Sequence, residues 1–320
     1  MEGAEGGIIL SSGMAAVSAT FLALLKNGDH VLGGDQLYGR SLRLMTEELP
    51  RQGISTSFVD PTDAQAVERA LTPQTKMILL EVVSNPTLRV ADIPAIAALT
   101  KKHGILLVID NTFTTPRGFQ PFEAGADIVI HSVTKMLAGH SDAMLGYVAA
   151  KDPAHRKRIY DVAVTYGFSP SPFDCWLAER GLYTFALRYD RAEENAARLA
   201  DALGEMPGVV RVLYPTRADH PDLALTQKVL GQHGGHMVSF EIAGGRDATN
   251  ALVAKLNKIN FAPTLGDVNT TLSHPASSSH RALTVEARAA LGMSEGFFRV
   301  SVGVEPISDL IAQFEAALGH

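Results

Sequence analysis

At 320 residues, 46% hydrophobic and 19% charged, the chain has room for a substantial core and two domains of ordinary globular composition. A net charge of −6 without any dense Lys/Arg run argues against nucleic acid or an anionic membrane as the main partner, and apolar stretches such as ILLVI (105–109) are too short to span a bilayer. MEGAEGG has neither the basic nor the apolar region of a signal peptide, and one cysteine, Cys175, excludes an internal disulfide framework and fits a reducing cytoplasm.

The first half alternates strands and helices. GGIIL (6–10) reads as a strand that turns through Ser11 and Ser12 into a helix, MAAVSATFLALL (14–25). Backbone N–H groups of Ser12, Gly13 and Met14 at that helix start form an anion site, and Gly13 lets a phosphate approach the backbone; a simple serine N-cap is the plainer alternative. HVLGG (30–34) is a strand. DQLYGR (35–40) follows as a loop whose Tyr38 can stack over a planar ligand or simply pack. SLRLMTEELPRQG (41–53) reads as a helix up to its Pro and Gly, STSFVD (55–60) as a strand, DAQAVERAL (63–71) as a helix and KMILLEVV (76–83) as a strand. Asn85 precedes a proline, which suits either a turn or a hydrogen bond to a ligand oxygen.

IPAIAALTKKHG (93–104) is a helix stopped at Gly104, and ILLVID (105–110) a strand that ends on Asp110. A further apolar strand, ADIVI (126–130), runs into HSVTKMLAGHSD (131–142). Continuous Val/Ile/Leu runs mark strands covered on both faces. The pattern therefore predicts a doubly wound α/β domain with a mostly parallel sheet over residues 1–184, where ligands gather past the carboxyl ends of the strands. Ser12, Asn85, Asp110 and Ser132 all fall there. From about Leu177 to Leu203 one long helical stretch reads as the connector to a smaller α+β domain, residues 185–320. Its strands are VVRVLYP, HMVSFEIAG and FFRVSVGV, and its helices TNALVAKLNKI and PISDLIAQFEAAL.

Lys135 carries the chemistry. A lysine at the mouth of such a sheet, bracketed by the hydroxyls of Ser132 and Thr134 and followed by Gly139, is poorly suited to packing and well suited to condensing with an aldehyde. Asp110 at an earlier strand end supplies an acid able to face a pyridine nitrogen. Pyridoxal 5′-phosphate (PLP) needs both. Taken singly, Ser132 and Thr134 are turn formers, Asp110 an N-cap and Lys135 a solvated cation; together they point to PLP. Arg299, inside the apolar strand FFRVSVGV, requires a partner, either a substrate carboxylate or an internal salt bridge. His131, His140, His274 and His280 match no compact metal-ligand spacing, and no Walker A, G-x-G-x-x-G or G-x-S-x-G sequence occurs. Cys175 reads as a small, partly buried helical side chain, with a thiol nucleophile as the alternative.

SSGMAA, DQLYGR, the SNP of EVVSNPTL, VIDNTFTTP, HSVTKMLAGHSD, TLGDVNTTLSHPASSSH and FRVSVGVEPISDLI occur in this order. Together they resemble the Cys/Met-metabolism (trans-sulfuration) family of PLP enzymes over nearly the whole chain. The resemblance implies a PLP-dependent transferase type I (aspartate-aminotransferase-like) fold and a homotetramer built from active dimers. It implies that Lys135 is the Schiff-base lysine and Asp110 the pyridinium partner. Gly13, Met14, Ser132 and Thr134 match phosphate-binding positions, and Tyr38 the ring-stacking tyrosine that also activates substrate. Asn85 and Arg299 match the substrate-carboxylate side, with Asn85 near the ring oxygen as well. Thr264 stands where the family commonly has serine, at a substrate-binding position.

Three departures shape the expected activity. The family usually carries a further N-terminal segment whose Tyr-x-Arg motif reaches the phosphate in the partner subunit; MEGAEGG shows no such motif, which implies weakened cofactor binding and assembly. Arg40 follows Tyr38–Gly39 where methionine γ-lyases commonly have cysteine, which weakens a methionine-specific reading. The aromatic-rich pocket of bacterial β-lyases is absent around 261–270, which favours γ-chemistry. The expectation is elimination at Cγ of a sulfur-containing L-amino acid (cystathionine or methionine), giving a 2-oxo acid, ammonia and a thiol. The alternatives are γ-replacement, as in cystathionine γ-synthase or O-acetylhomoserine sulfhydrylase, and a catalytically poor assembly subunit.

Overall fold

The computed structural model describes residues 1–278, 281 and 283–319; His280, weighed above as a ligand, lies outside them. They form two compact units, Met1–Ser84 with Val90–Tyr183, and Asn85–Arg89 with Thr184–His320.

The first unit is built on seven strands: β1 (Ile8–Leu10), β2 (His30–Gly34), β3 (Ser55–Val59), β4 (Thr75–Glu81), β5 (Leu106–Asp110), β6 (Ile128–Ser132) and β7 (Gly146–Ala150). Their order is β1-β7-β6-β5-β4-β2-β3, and β2 to β6 run parallel to their neighbours in that set. The doubly wound expectation holds because these strands are apolar on both faces: Leu107, Val108 and Ile109 are all fully buried. One strand escapes it. GYVAA forms β7, antiparallel to both β1 and β6. Its short run of small residues gives little periodic signal.

Helix boundaries follow local chemistry. The Ile93–His103 helix starts where Asp92 accepts a hydrogen bond from Ala95 N and carries Pro94 in its first turn; it ends at Gly104, whose φ of 66° is left-handed. The 41–53 pattern is helical but not uniform: a wide π turn over Leu44–Glu48 separates Gly39–Arg43 from Leu49–Arg51. Pro50, which has no N–H to give, sits where the regular ladder would need one. The core gathers Phe21, Met45, Leu79, Val108, Ile130 and Val148.

The single long helix expected over 177–203 is instead two, Pro172–Leu182 and Phe185–Glu205. Thr184 ends the first pattern by starting a new helix: its carbonyl accepts from Arg188 N at 3.0 Å and its hydroxyl from Arg188 Nε at 3.1 Å. Hydrophobic periodicity continues across that break and cannot register it.

The second unit carries β8 (Val209–Leu213), β9 (Met237–Ile242), β10 (Asn260–Phe261), β11 (Thr271–Ser273) and β12 (Phe297–Ser301), ordered β10-β11-β12-β9-β8 and mostly antiparallel. The Phe185–Glu205 helix buries Tyr189, Ala192, Ala196, Leu199 and Leu203 at three- and four-residue intervals. In this core Phe240 stacks on Phe298 at 5.3 Å and meets Phe314 edge-on at 5.8 Å, pairs each worth about 1 kcal/mol beyond burial.

Candidate active site

The turn between β1 and the Gly13–Leu24 helix is committed to its geometry by Ser12. Its hydroxyl accepts from Ala15 N at 3.1 Å, so Ser12 is a true N-cap. The N–H groups of Gly13 and Met14 have no partner among the described residues and face outward from the helix start. Glycine is obligatory there. A Cβ at Gly13 would lie 2.8 Å from Ser132 Cβ and 3.0 Å from Ser132 Oγ, which puts that hydroxyl beside the open N–H groups. A Cβ at Gly146 would lie 2.0 Å from Ser12 O, so β7 is pressed against the same turn.

Asp110 is the last residue of β5 and Ser132 the last of β6. Asp110 Oδ1 accepts from Thr112 N at 3.1 Å and Thr112 Oγ1 at 2.5 Å, and Thr112 Oγ1 accepts from Ser132 N at 2.9 Å. Thr112 thus links the acid at the end of β5 to the end of β6. Burial pushes the Asp110 carboxyl above the usual range, opposed by the two Thr112 bonds and by His131. A cation placed opposite the acid would oppose that push.

Lys135 is partly buried in the turn after β6, with its N–H given to Ser132 O at 3.1 Å and its carbonyl taken by Gly139 N at 2.8 Å. Val133, Met136 and Ala138 anchor the turn in the core. The Pro172–Leu182 helix lies close because Gly181 has no side chain: a Cβ there would meet Ala138 O at 2.2 Å. Thr134 behaves differently from Ser132. Its Oγ1 donates to Leu145 O at 3.2 Å and accepts from Leu145 N at 3.0 Å, so its hydroxyl braces the lysine turn.

Tyr38 caps the Gly39–Arg43 helix and is 44% exposed. Its N–H donates to Glu81 Oε1 at 2.6 Å, and Ser41 Oγ reaches Met14 Sδ at 3.9 Å. The tyrosine turn is therefore tied to β4 and to the Gly13–Leu24 helix.

The second unit groups the remaining candidates. Arg299 on β12 is 5% exposed; its Nη1 donates to Asn85 Oδ1 at 2.7 Å and its Nη2 to Thr264 O at 3.1 Å. These neutral oxygens orient the guanidinium. Asn85 is held by its neighbours, Pro86 O accepting from Ser239 Oγ at 2.6 Å and Arg89 pairing with Asp222 at 2.5 and 3.0 Å. Close to Arg299, burial and the guanidinium charge push the His236 imidazole down to about 3.

The chain's residues 1–319 match the profile of the Cys/Met metabolism PLP-dependent enzyme family. The protein belongs to that family. It is 44% identical over 318 residues to cystathionine beta-lyase MetC of Bacillus subtilis (strain 168), covering 99% of this chain and 81% of that one. It is 40% identical to L-methionine gamma-lyase of Pseudomonas putida, covering 99% and 80%. Among solved structures it resembles a cystathionine gamma synthase from Xanthomonas oryzae pv. oryzae in complex with aminoacrylate and cysteine, at TM-score 0.95 and 38% identity, covering 99% and 82%. A cystathionine gamma-lyase from Lactobacillus plantarum complexed with L-serine gives TM-score 0.95 and 36% identity over 99% and 83%. The type I fold and the PLP dependence read from the sequence are both borne out.

Residue reasoning overlooked Thr112, Glu81, Gly146 and Gly181. Thr112 stands in the quoted VIDNTFTTP, but a threonine in a turn has no distinguishing chemistry until its partners are known. The two glycines matter through backbones distant in sequence.

Proposed function

We propose that this PLP-dependent carbon–sulfur lyase acts at Cγ of a sulfur-containing L-amino acid, cystathionine or methionine, releasing a 2-oxo acid, ammonia and a thiol. The observation that supports the reading is the Asp110–Thr112–Ser132 chain, which links a partly buried acid to a hydroxyl beside the Gly13–Met14 turn, three residues before Lys135. When bound, PLP supplies an aldehyde that condenses with an amine and a cationic ring that withdraws an electron pair. Gly13 and Met14 N–H and the Ser132 hydroxyl bind its phosphate, while Thr134 holds the turn. Asp110 keeps the ring nitrogen protonated. Lys135 would be the amine that holds the cofactor, and that amine would take the substrate Cα proton and move protons to and from Cβ. Tyr38 stacks on the ring and shares the proton work at the leaving group. Arg299 takes the substrate carboxylate, oriented by Asn85 and Thr264.

Among the described residues no helix is long and apolar enough to cross a membrane. The single cysteine supports a cytoplasmic setting, and the family resemblance a dimer of dimers. Relatives bear both β- and γ-lyase names, so the products decide the bond. With cystathionine and no added thiol, 2-oxobutyrate is expected. Pyruvate in its place would move the cut to the Cβ–S bond, and strict dependence on an acylated homoserine plus thiol would overturn elimination altogether. Lys135→Ala is expected to abolish both turnover and the near-visible cofactor absorbance.

A further inference from the structure

A second acid lies on the far side of the same strands. Glu2 is 5% exposed, and its Oε1 accepts from Asn111 Nδ2 at 2.8 Å and from His131 Nε2. Asn111 and His131 are themselves 0% and 1% exposed. Asn111 directly follows Asp110, and His131 directly precedes Ser132. Side chains of successive extended residues project to opposite faces, so the two that grip Glu2 point away from the two that serve the cofactor. The backbone joins the pairs: Asn111 N donates to Ile130 O at 2.9 Å.

A buried carboxylate is costly unless its hydrogen bonds are strong and numerous. Here both bonds go to Oε1, Oε2 being buried without a partner among the described residues, and the two cross from one strand end to the other. Among the described residues, Glu2 is the only hydrogen-bond partner of the His131 ring, whose Nδ1 is buried without one. Asn111 is fixed at three further points, its Nδ2 donating to Phe119 O at 3.0 Å, its Oδ1 accepting from Thr114 Oγ1 and its N–H engaged as above.

We propose that Glu2 is a positioning residue for the PLP site: by clamping Asn111 and His131 together it fixes the spacing between the Asp110 carboxylate and the Ser132 hydroxyl. His131 also acts against the upward push of burial on the Asp110 carboxyl. The inference rests on the assignment of Asp110 and Ser132 to the cofactor proposed above, and the experiment separates the two.

Apo-protein is titrated with PLP and the dissociation constant read from the cofactor absorbance for wild type, Glu2→Gln, Asp110→Asn and the Glu2→Gln/Asp110→Asn double variant. Far-UV circular dichroism of each apo-protein checks folding. Glu2→Gln retains an oxygen for one donor and loses the charge, so PLP binding is expected to weaken about ten-fold with an unchanged spectrum. In the Asp110→Asn background the same substitution is expected to add less than about two-fold, because Glu2 acts through that residue. An equal loss in both backgrounds marks a merely structural role and overturns the proposal, as does wild-type affinity in Glu2→Gln while Asp110→Asn binds weakly. Wild-type affinity in Asp110→Asn would overturn the site assignment itself, and the role of Glu2 with it.

Discussion

Asp110 illustrates how a functional group can work against the fold that holds it. Its carboxyl is pushed up from about 3.8 by burial, so the folded protein disfavours the ionised form. The sign follows directly: the penalty is absent below the unfolded value, grows as pH rises through the folded one and is complete above it. Asp110→Asn preserves an oxygen for both Thr112 bonds and removes the charge. The apo-protein is expected to melt higher than wild type near pH 7, with the difference gone at pH 3, while PLP affinity falls; differential scanning calorimetry and cofactor titration check both halves. His236 gives the opposite pH window. Its folded value of about 3 lies below the usual 6.5, so stability is complete above pH 6.5 and declines as pH falls toward 3, by about 1.4 kcal/mol per pH unit. His236→Leu is expected to flatten that acid limb, read as the shift in urea midpoint between pH 7 and pH 5.

Elements explain what the sequence makes legible and what it hides. The β2–β6 strands and the Ile93–His103 helix declare themselves because burial on both faces, an Asp cap and a left-handed Gly are local signals. Asp110 and Lys135 are conspicuous because ionisable residues at the ends of apolar strands demand a reason. Thr112 and Glu2 are not, since a turn threonine and an early glutamate acquire meaning only from partners 20 and more than 100 positions away. The same blindness covers β7. Gly146→Ala is expected to cost about 3 kcal/mol or more in chemical denaturation, because its Cβ would strike the Ser12 carbonyl rather than a flexible side chain. It is also expected to loosen PLP, since the displaced backbone belongs to the turn proposed to hold the phosphate.

At the scale of the molecule, the five residues Asn85–Arg89 are counted with the second unit although the chain on either side belongs to the first. They are fastened there by the Pro86 carbonyl and by Arg89 on Asp222, whose side chain is 6% exposed. Arg89→Ala removes the bidentate partner of that buried carboxylate, and a loss of about 2–3 kcal/mol is expected in urea unfolding. Raised KM with little change in kcat would follow as Asn85 loosens its hold on Arg299, checked by steady-state kinetics on cystathionine.

That short excursion of the chain also governs how the protein can be recombined. A chimera that swaps everything after Tyr183 for the matching stretch of a relative would set a foreign arginine pocket on a native Asn-Pro strap. Specificity grafts between members of the family must carry positions 85–89 as cargo, or they will inherit half of someone else's carboxylate clamp.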